Sequence, residues 1–344
     1  MPDLAPARRA HSGSGNYPLT VESSRRILLC MAAGNRKNPT RAASSDSRYS
    51  FVEFIQRFPD DESCLQYLWT TRYASDGEHA LCPRCEVERT FKRYETTQQR
   101  QSWTCTVCGH HIHPTAGTIF HKSSTSLHLW FYALYIMAST RCGVAAKQLE
   151  RELGVTYKTA WRMFHLIRNQ LMVQDDDELL SEAVEADETY VGGKRKGVVG
   201  RPGPGDKKKT PVFGMVQRGG KVSAYAVETV SEASLVPRME KRILPASIIY
   251  TDEFQSYRHL GKRGYDHRRI HHKTGVYVSG DIHTNTIEGF WSLVKNGIRG
   301  SHHAVSAKHL QGYLNEYVWR YNHRDESRSM FELLLLRAAL LPTS

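Results

Sequence analysis

The sequence predicts a mixed α/β chain, with a cysteine-rich module and a helical segment in front of its largest domain. Two CxxC pairs lie between residues 79 and 115. Apolar residues then recur at helical spacing between residues 125 and 170. From about residue 180, short apolar strands alternate with helical patterns and turn residues, as in an α/β domain.

Length and charge limit the class of protein. The chain has 344 residues, enough for two or three domains, and 40% of them are hydrophobic, so most of it is expected to be globular. The net charge of +12 indicates a polyanionic partner, and nucleic acid is favoured over simple solubility. No apolar run reaches the roughly 18 residues that span a bilayer, so no membrane partner is expected. These features predict a cytoplasmic, nucleoid-associated protein.

The first 50 residues form a basic segment without hydrophobic periodicity. They hold eight Lys or Arg residues and three Asp or Glu residues, and such a segment cannot bury enough apolar surface to order itself. We expect a dispensable, disordered tail over residues 1–50. A DNA-binding arm and an over-extended start, with initiation at Met31, are the alternatives. Two short helices are predicted next, over residues 51–78.

Residues 79–122 are predicted to form a zinc ribbon. Cys82 and Cys85 make one CxxC knuckle, and Cys105 and Cys108 make a second one after 19 intervening residues. Each knuckle turns two thiolates towards one point, and four thiolates give a closed tetrahedral site for one structural Zn²⁺. A pair of disulfides is the alternative. It is disfavoured because disulfides are rare in cytosolic proteins.

Residues 123–175 are predicted to be helical and to bind DNA. An apolar helix over residues 125–139 precedes a helix, turn, helix pattern over residues 143–170. A recognition helix presents its first residues to the major groove, and an ordinary helical hairpin is the alternative interpretation. The residues expected to face DNA are Tyr157, Lys158, Thr159 and Arg162.

The largest predicted domain spans residues 180–326, and a C-terminal tail or helix follows over residues 327–344. The predicted strands are Ala183–Asp187, Val212–Gln217, Val222–Thr229, Ser247–Thr251 and Arg268–His271. The predicted helices are Ser234–Ile243, Asn285–Asn296 and Ala307–Tyr321. Three strands, a helix, a strand, further elements and a terminal helix is the order expected of an RNase H-like (integrase-type) α/β fold.

Two aspartates stand where strands of this domain are predicted to end. Asp187 follows one apolar segment, and Asp252 follows another. Charges beside central strands are costly unless they are paired or bind metal. Because both strands should be central and parallel, the two carboxylates are expected to lie together and to share cations.

A helix is expected to complete this cluster. Asn285 and Glu288 are three residues apart and share a helix face, and Lys295 falls on that face two turns later. The same Asn and Glu also fit a capping-box-like helix start, which is the alternative. Oxygen ligands suit Mg²⁺ or Mn²⁺, and two such ions can promote an in-line phosphoryl displacement. The predicted ligands are Asp187, Asp252 and Glu288, with Lys295 near the DNA phosphate.

The loop Gly192–Pro211 holds seven Lys or Arg residues and one Asp next to the predicted active site. Contact with DNA phosphates is favoured over a solvated hairpin, because the loop adjoins the carboxylates. The residues expected to make this contact are Lys194, Arg195, Lys196, Lys207, Lys208 and Lys209.

Together these motifs resemble the DDE-class bacterial insertion-sequence transposases of the ISXO type. The resemblance covers residues 51–324, and it is carried by the segments CPRC, CTVC, TAGTIFHKSST, EADETYVGGK, TPVFGMVQRGG, YTDEFQSY and HTNTIEGFWSLVK. It implies cleavage at the terminal repeats of the element and strand transfer by the freed 3′-hydroxyls. It also implies that Asp187 and Asp252 take the first two acid positions. Asn285 or Glu288 takes the third, and Glu288 is preferred as the stronger metal ligand.

The resemblance further implies a homodimer or larger assembly on DNA, because two element ends must be joined. Two other functions stay open for the sequence. One is a non-catalytic DNA-binding regulator or domesticated relic that uses only the ribbon and the helix-turn-helix. The other is a stand-alone nuclease of the same fold. The intact set of acids disfavours the regulator, because charged core residues that no longer bind metal tend to be lost.

Overall fold

The computed structural model describes residues 49–94, 102–140, 142–175, 179–192, 209–252, 254–269 and 283–341. The predicted N-terminal tail up to residue 48 lies outside the described residues, as do Lys194, Arg195, Lys196, Lys207 and Lys208 of the basic loop. Within these ranges, no helix combines the length and the apolar character needed to cross a membrane.

Two capped helices begin the described chain. Helix α1 spans Phe51–Arg57 and helix α2 spans Asp61–Arg72. Ser50 and Asp60 each accept a hydrogen bond from the third backbone N–H of the helix that follows, which fixes where each helix starts. Helix α2 buries one face, including Cys64, as its spacing predicts.

Four short antiparallel strands form the ribbon sheet. Strands β1 (His79–Leu81), β2 (Glu88–Tyr94), β3 (Ser102–Cys105) and β4 (His111–Ile112) pair in chain order. Trp103 of β3 stacks on Trp69 of α2 with ring centroids 4.7 Å apart. This contact joins the ribbon to the helices and supplies much of the apolar core that so small a sheet lacks.

The helical segment contains the predicted helix pair. Helix α3 (Leu127–Ser139) precedes α4 (Ala146–Leu153) and α5 (Tyr157–Leu166). Gly154 ends α4 in the left-handed conformation, at φ 63°, so a side chain there would be strained. Thr156 caps α5, because its hydroxyl accepts the N–H of Thr159 at 3.3 Å.

The C-terminal sheet has the strand order of an RNase H-like domain. Strands β5 (Ala183–Gly192), β6 (Lys209–Gln217) and β7 (Val222–Ala226) are antiparallel, whereas β8 (Ile248–Thr251) and β9 (Asp266–Arg269) run parallel to β5. The order across the sheet is β7-β6-β5-β8-β9, with β5 in the centre. The predicted α/β class and RNase H-like topology are therefore confirmed.

The strand bounds differ from those predicted: β6 begins three residues earlier, β7 ends three residues earlier and β8 begins one residue later, and β5 and β9 differ as well. Strand β5 continues five residues beyond Asp187, because its second half pairs with the start of β6. The sequence of that half contains polar residues, which hid it from a search for apolar runs. Strand β9 begins at Asp266, two residues earlier than expected.

Helices cover both faces of this sheet. Helix α6 (Glu232–Arg242) packs on one face, while α7 (Asn285–Gly297) and α8 (Leu310–Asn322) pack on the other. The alternation of β5 sends Val184 and Ala186 towards α6 and Val191 towards α7. The sheet is thus a central layer between two apolar cores.

A buried charge network joins the helical segment to α8. Arg168 lies in a π-helical turn, Ile167–Leu171, that continues α5, and it pairs with Glu316 of α8. Glu316 also pairs with Arg320, which donates to backbone carbonyls at the end of α3. The last helix, α9 (Met330–Leu340), returns to pack on α2 and α3, so the two ends of the described chain share one core.

Candidate active site

Strand β5 carries three acidic side chains. Glu185 and Asp187 point to the α7 face of the sheet, since each accepts a hydrogen bond from that helix. Glu188 points to the opposite face and is 6% exposed. Removing a charged carboxylate from water costs free energy. Each acid on this central strand therefore requires a hydrogen-bond partner, an opposite charge or a cation.

Asp252 brings a further carboxylate to the same edge. It directly follows β8, which runs parallel to β5 with Tyr250 opposite Glu185, so Asp252 comes level with Asp187. Its Oδ1 accepts the N–H of Phe254 at 3.0 Å, which holds the turn after the strand. One carboxylate oxygen from each of Asp187, Glu188 and Asp252 lies within 4.8 Å of the others. Three oxygen ligands so close together suit a hard divalent cation.

The electrostatics of Asp187 reflect this crowding. Burial, followed by the charges of Asp252 and Glu288, raises the pKa of Asp187 to about 6. The indole N–H of Trp291, 3.1 Å from its Oδ2, opposes the rise. The carboxyl therefore holds a proton more tightly than a free aspartate does, and a bound cation would replace that proton.

Helix α7 docks on the sheet through the apolar stripe that the sequence predicts. Glu288 and Asn285 are exposed, and Lys295 is half-buried. Burial lowers the pKa of Lys295, while the nearby charge of Asp187 opposes that shift. The buried residues of the stripe are Ile287, Phe290, Trp291 and Val294.

The start of α7 does not form the capping box of the alternative interpretation. The N-cap is Thr284, whose hydroxyl donates to Glu288 Oε1 at 3.2 Å, and Asn285 already belongs to the helix. Glu288 is close enough to raise the pKa of Asp187, but it is not in the compact group formed by the described Asp187, Glu188 and Asp252. Its role as a metal ligand stays a prediction.

Glu188 is a member of the cluster that the sequence reasoning missed. Its Oε2 accepts the hydroxyl of Tyr257, a fully buried residue, at 2.8 Å. The pKa of Tyr257 is raised well above its usual value by burial and by Glu188, so the phenol stays a donor. A second acid directly after Asp187, with a tyrosine five residues after Asp252, was the available signal.

The four ribbon cysteines converge as predicted. One sulfur from each of Cys82, Cys85, Cys105 and Cys108 lies within 4.8 Å of the other three. Each knuckle closes with a backbone bond to its first cysteine, from Glu86 N–H to Cys82 and from Gly109 N–H to Cys105. The backbone N–H of Cys108 lowers the pKa of Cys105 to about 7, which favours the thiolate form that binds metal.

The structure describes five of the ten predicted DNA-facing residues, and three of these five are exposed. Tyr157, Lys158 and Arg162 are exposed at the start of α5. Thr159 is half-buried, with its hydroxyl 3.1 Å from that of the cap residue Thr156, and its contact with DNA stays a prediction. Lys209 is the first residue of β6 and is near enough to Lys295 to lower the pKa of that lysine.

Comparison with known proteins decides the family. Residues 179–322 match the model of the ISXO2-like transposase domain, and residues 59–111 match that of a transposase zinc-ribbon domain. A transposase-like protein of Haemophilus influenzae is 32% identical over 114 residues, which cover 33% of this chain and 90% of that relative. The chain belongs to the ISXO2-like transposase family.

Another relative of this ISXO2-like transposase is a protein in transposable element ISH50 of Halobacterium salinarum. It is 29% identical over 256 residues, which cover 70% of this chain and 84% of the relative. Family membership confirms the predicted enzyme class, a DNA transposase, and the predicted ribbon.

Two solved structures show weak similarity to the ISXO2-like transposase. A pre-cleavage Mos1 transpososome has a TM-score of 0.23 and 15% identity, covering 61% of this chain and 78% of that chain. The Mos1 strand transfer complex has a TM-score of 0.21 and 14% identity, covering 58% and 78%. The fold assignment rests on the strand order and the family, not on these superpositions.

The raised pKa of Asp187 predicts that this carboxylate destabilises the metal-free protein. The folded pKa of about 6 lies above the unfolded value, so folding binds a proton and stability is lost as pH rises towards 6. Asp187→Asn should therefore stabilise the metal-free chain by about 1–3 kcal/mol above pH 6. Below about pH 4 the gain should vanish, because aspartate is then protonated in both states. Thermal or urea unfolding from pH 4 to pH 8 measures the difference in unfolding free energy between the variant and the wild type. A difference that does not change with pH would contradict the prediction.

Proposed function

We propose that this chain binds the terminal inverted repeats of an insertion sequence, cleaves DNA to free 3′-hydroxyls, and joins them to target DNA by metal-dependent phosphoryl transfer. The observation that carries the proposal is the group of Asp187, Glu188 and Asp252 at one edge of an RNase H-like sheet. A set of carboxylate oxygens fits Mg²⁺ or Mn²⁺ better than it fits softer metals.

Asp187 and Asp252 are the proposed metal ligands, with Glu288 as our first choice for the third. Glu288 is supported by its electrostatic effect on Asp187, and Asn285 remains the alternative ligand or an orienting group. Divalent ions bound there would activate the attacking hydroxyl and stabilise the leaving oxygen. The protein's own contribution is to hold these acids on rigid elements: the middle of β5, the end of β8 and the facing helix.

Basic side chains beside the acids would hold the DNA backbone. Lys295 and Lys209 interact electrostatically with each other, and Arg299 adds a third positive charge one helical turn beyond Lys295. A cationic strip next to an anionic cluster can bind a phosphate and direct it towards the metals. Lys194, Arg195, Lys196, Lys207 and Lys208 are proposed to extend this contact.

The remaining modules are proposed to recognise the element ends. The ribbon would be held by one structural Zn²⁺, because four thiolates leave no open coordination position. Helix α5 would enter the major groove with Tyr157, Lys158 and Arg162. A homodimer or larger assembly on DNA, at the nucleoid in the cytoplasm, would join the two ends.

Loss of either strand aspartate should abolish cleavage without weakening DNA binding. We expect Asp187→Ala and Asp252→Ala to reduce the cleavage rate by at least about a thousandfold, because the metal site loses a first ligand. The assay uses the full chain, Mg²⁺ or Mn²⁺, and DNA from either side of the gene. Glu288→Ala and Asn285→Ala are measured in parallel. The third ligand is the residue whose replacement lowers the cleavage rate as much as the aspartate replacements do.

Two outcomes of that assay would replace the proposal. Sequence-specific binding without any cleavage by the wild-type chain indicates a DNA-binding regulator or relic. Cleavage without strand transfer from pre-cut 3′ ends indicates a nuclease of the same fold. Full cleavage by Asp187→Ala contradicts the assignment of the site.

The ribbon cysteines predict a stoichiometric metal. Cys85→Ser should lower the zinc content from about one equivalent per chain towards zero and loosen the ribbon, because a structural site needs all four thiolates. Cys142→Ser is the matched control, since Cys142 is an exposed cysteine outside the cluster. Elemental analysis reports the metal, and tryptophan fluorescence reports the Trp69–Trp103 stack. Equal zinc in both variants would contradict the assignment.

The start of α5 predicts a change in the salt dependence of DNA binding. Replacing Lys158 or Arg162 by Ala should lower the slope of log K against log salt by about one unit for each phosphate contact removed. Lys262→Ala is the control, because Lys262 is an exposed lysine of the α/β domain to which no DNA role is assigned. An unchanged slope in both α5 variants would show that this helix pair is only a structural hairpin.

A further inference from the structure

We infer that Glu185 is a positioning residue, which fixes the first turn of α7 on the central strand and thereby sets where Asn285 and Glu288 stand relative to Asp187. The inference rests on the proposed function, since the placement of α7 matters for catalysis only if that helix contributes to the metal site. The sequence reasoning assigned no role to Glu185, which lies two residues before the first aspartate.

The carboxylate of Glu185 caps α7 from outside the helix. Its Oε2 accepts the backbone N–H of Thr286 at 2.8 Å and that of Ile287 at 3.0 Å, and its Oε1 accepts the Thr286 hydroxyl at 3.0 Å. The N-cap residue, Thr284, makes no side-chain cap bond of its own. A strand residue therefore satisfies N–H groups that a local side chain usually satisfies.

The charge of Glu185 is balanced at the same point. The side chain is completely buried, and Arg218 Nε lies 2.7 Å from its Oε1. The Arg218 guanidinium also donates to the His283 carbonyl at 2.7 Å and lies over the Tyr250 ring at 4.0 Å. The positive end of the helix dipole adds to this stabilisation. One ion pair thus ties together β5, β8, the turn after β6 and the segment just before α7.

Asp187 attaches α7 to β5 at a second point, and the two points are about equally far apart along the strand and along the helix. It lies two residues further along β5, a rise of about 7 Å, and accepts the indole N–H of Trp291. Trp291 lies four residues after Ile287, a rise of about 6 Å along a helix. Gly214, the register partner of Asp187, leaves room for this ring, because a Cβ there would stand 2.5 Å from the indole.

These two attachments bear directly on the candidate ligands. Asn285 and Glu288 flank the two residues whose N–H groups Glu185 accepts. Loss of the carboxylate frees the turn that carries both, whereas the Trp291 contact alone would let the start of the helix pivot. A displacement of about 1 Å can slow a reaction roughly a hundredfold. If the ion pair only stabilised the fold, its loss would lower the fraction of folded molecules but not the reaction rate of each folded molecule.

The test compares Glu185→Gln with a matched control, Glu316→Gln. Both glutamates are completely buried and paired with arginine. Glu316, however, lies in α8, and its ion-pair partners, Arg168 and Arg320, are outside α7. The probe is Tb³⁺, which binds carboxylate clusters, with its emission excited through Trp291. Trp291→Phe identifies the part of the signal that this indole supplies.

We expect Glu185→Gln to lower the saturating Tb³⁺ emission at least about twofold and the cleavage rate per folded molecule roughly tenfold to a hundredfold. DNA affinity should stay within about twofold, because the outer DNA-binding surfaces are untouched. Glu316→Gln should unfold at lower temperature yet keep both the emission and the rate. Saturating emission is the decisive quantity, because the lost charge by itself changes only the affinity for Tb³⁺.

If Glu185→Gln matches Glu316→Gln in saturating emission and in rate per folded molecule, the positioning role is overturned. If the wild-type chain cleaves no DNA but Glu185→Gln still lowers the emission, the attachment stands and the proposed function fails. If Glu185→Gln does not fold, Thr286→Val removes one donor and keeps the ion pair. It should then lower emission and rate in the same direction, and unchanged values would overturn the inference.

Discussion

The burial of three acidic side chains on the central strand β5 is the constraint on which the catalytic domain depends. Each acid is accommodated differently. Glu185 is neutralised by Arg218 and by the N-terminus of α7, and Glu188 accepts the hydroxyl of the buried Tyr257. Asp187 receives only partial compensation from an indole N–H, and its pKa is raised to about 6. The fold compensates two of these charges itself and leaves the third only partly compensated.

The same constraint explains how the layers are held. Successive side chains of β5 point to opposite faces of the sheet. Its acids therefore contact α7 on one face and the segment after β8 on the other. A comparable arrangement joins the helical segment to the sheet, where Glu316 lies between Arg168 and Arg320. Such pairs add little net stability, but breaking one leaves a buried charge, so they specify a single arrangement of the helices.

Features that depend on local spacing were predictable. Short sequence patterns identify the cysteine pairs, the helix pair with Gly154 between its members, and the two aspartates that come after apolar segments. The apolar stripe of α7 was equally clear, and the stripe is buried. The second half of β5 shows the limit of such reasoning, because it contains polar residues and only its pairing with β6 identifies it as strand.

By itself, the sequence determined the order of the elements, the ribbon ligand set, the family and the two aspartates, because each depends on residues close together in the chain. Only the tertiary structure decided how the other acids are used. Glu185 meets α7 across about a hundred residues, and Glu188 meets Tyr257 across nearly seventy. Both lie within two residues of Asp187 in the strand and look alike in the sequence. Strand alternation and the packing of distant helices assign one to hold a helix and the other to join the carboxylate cluster.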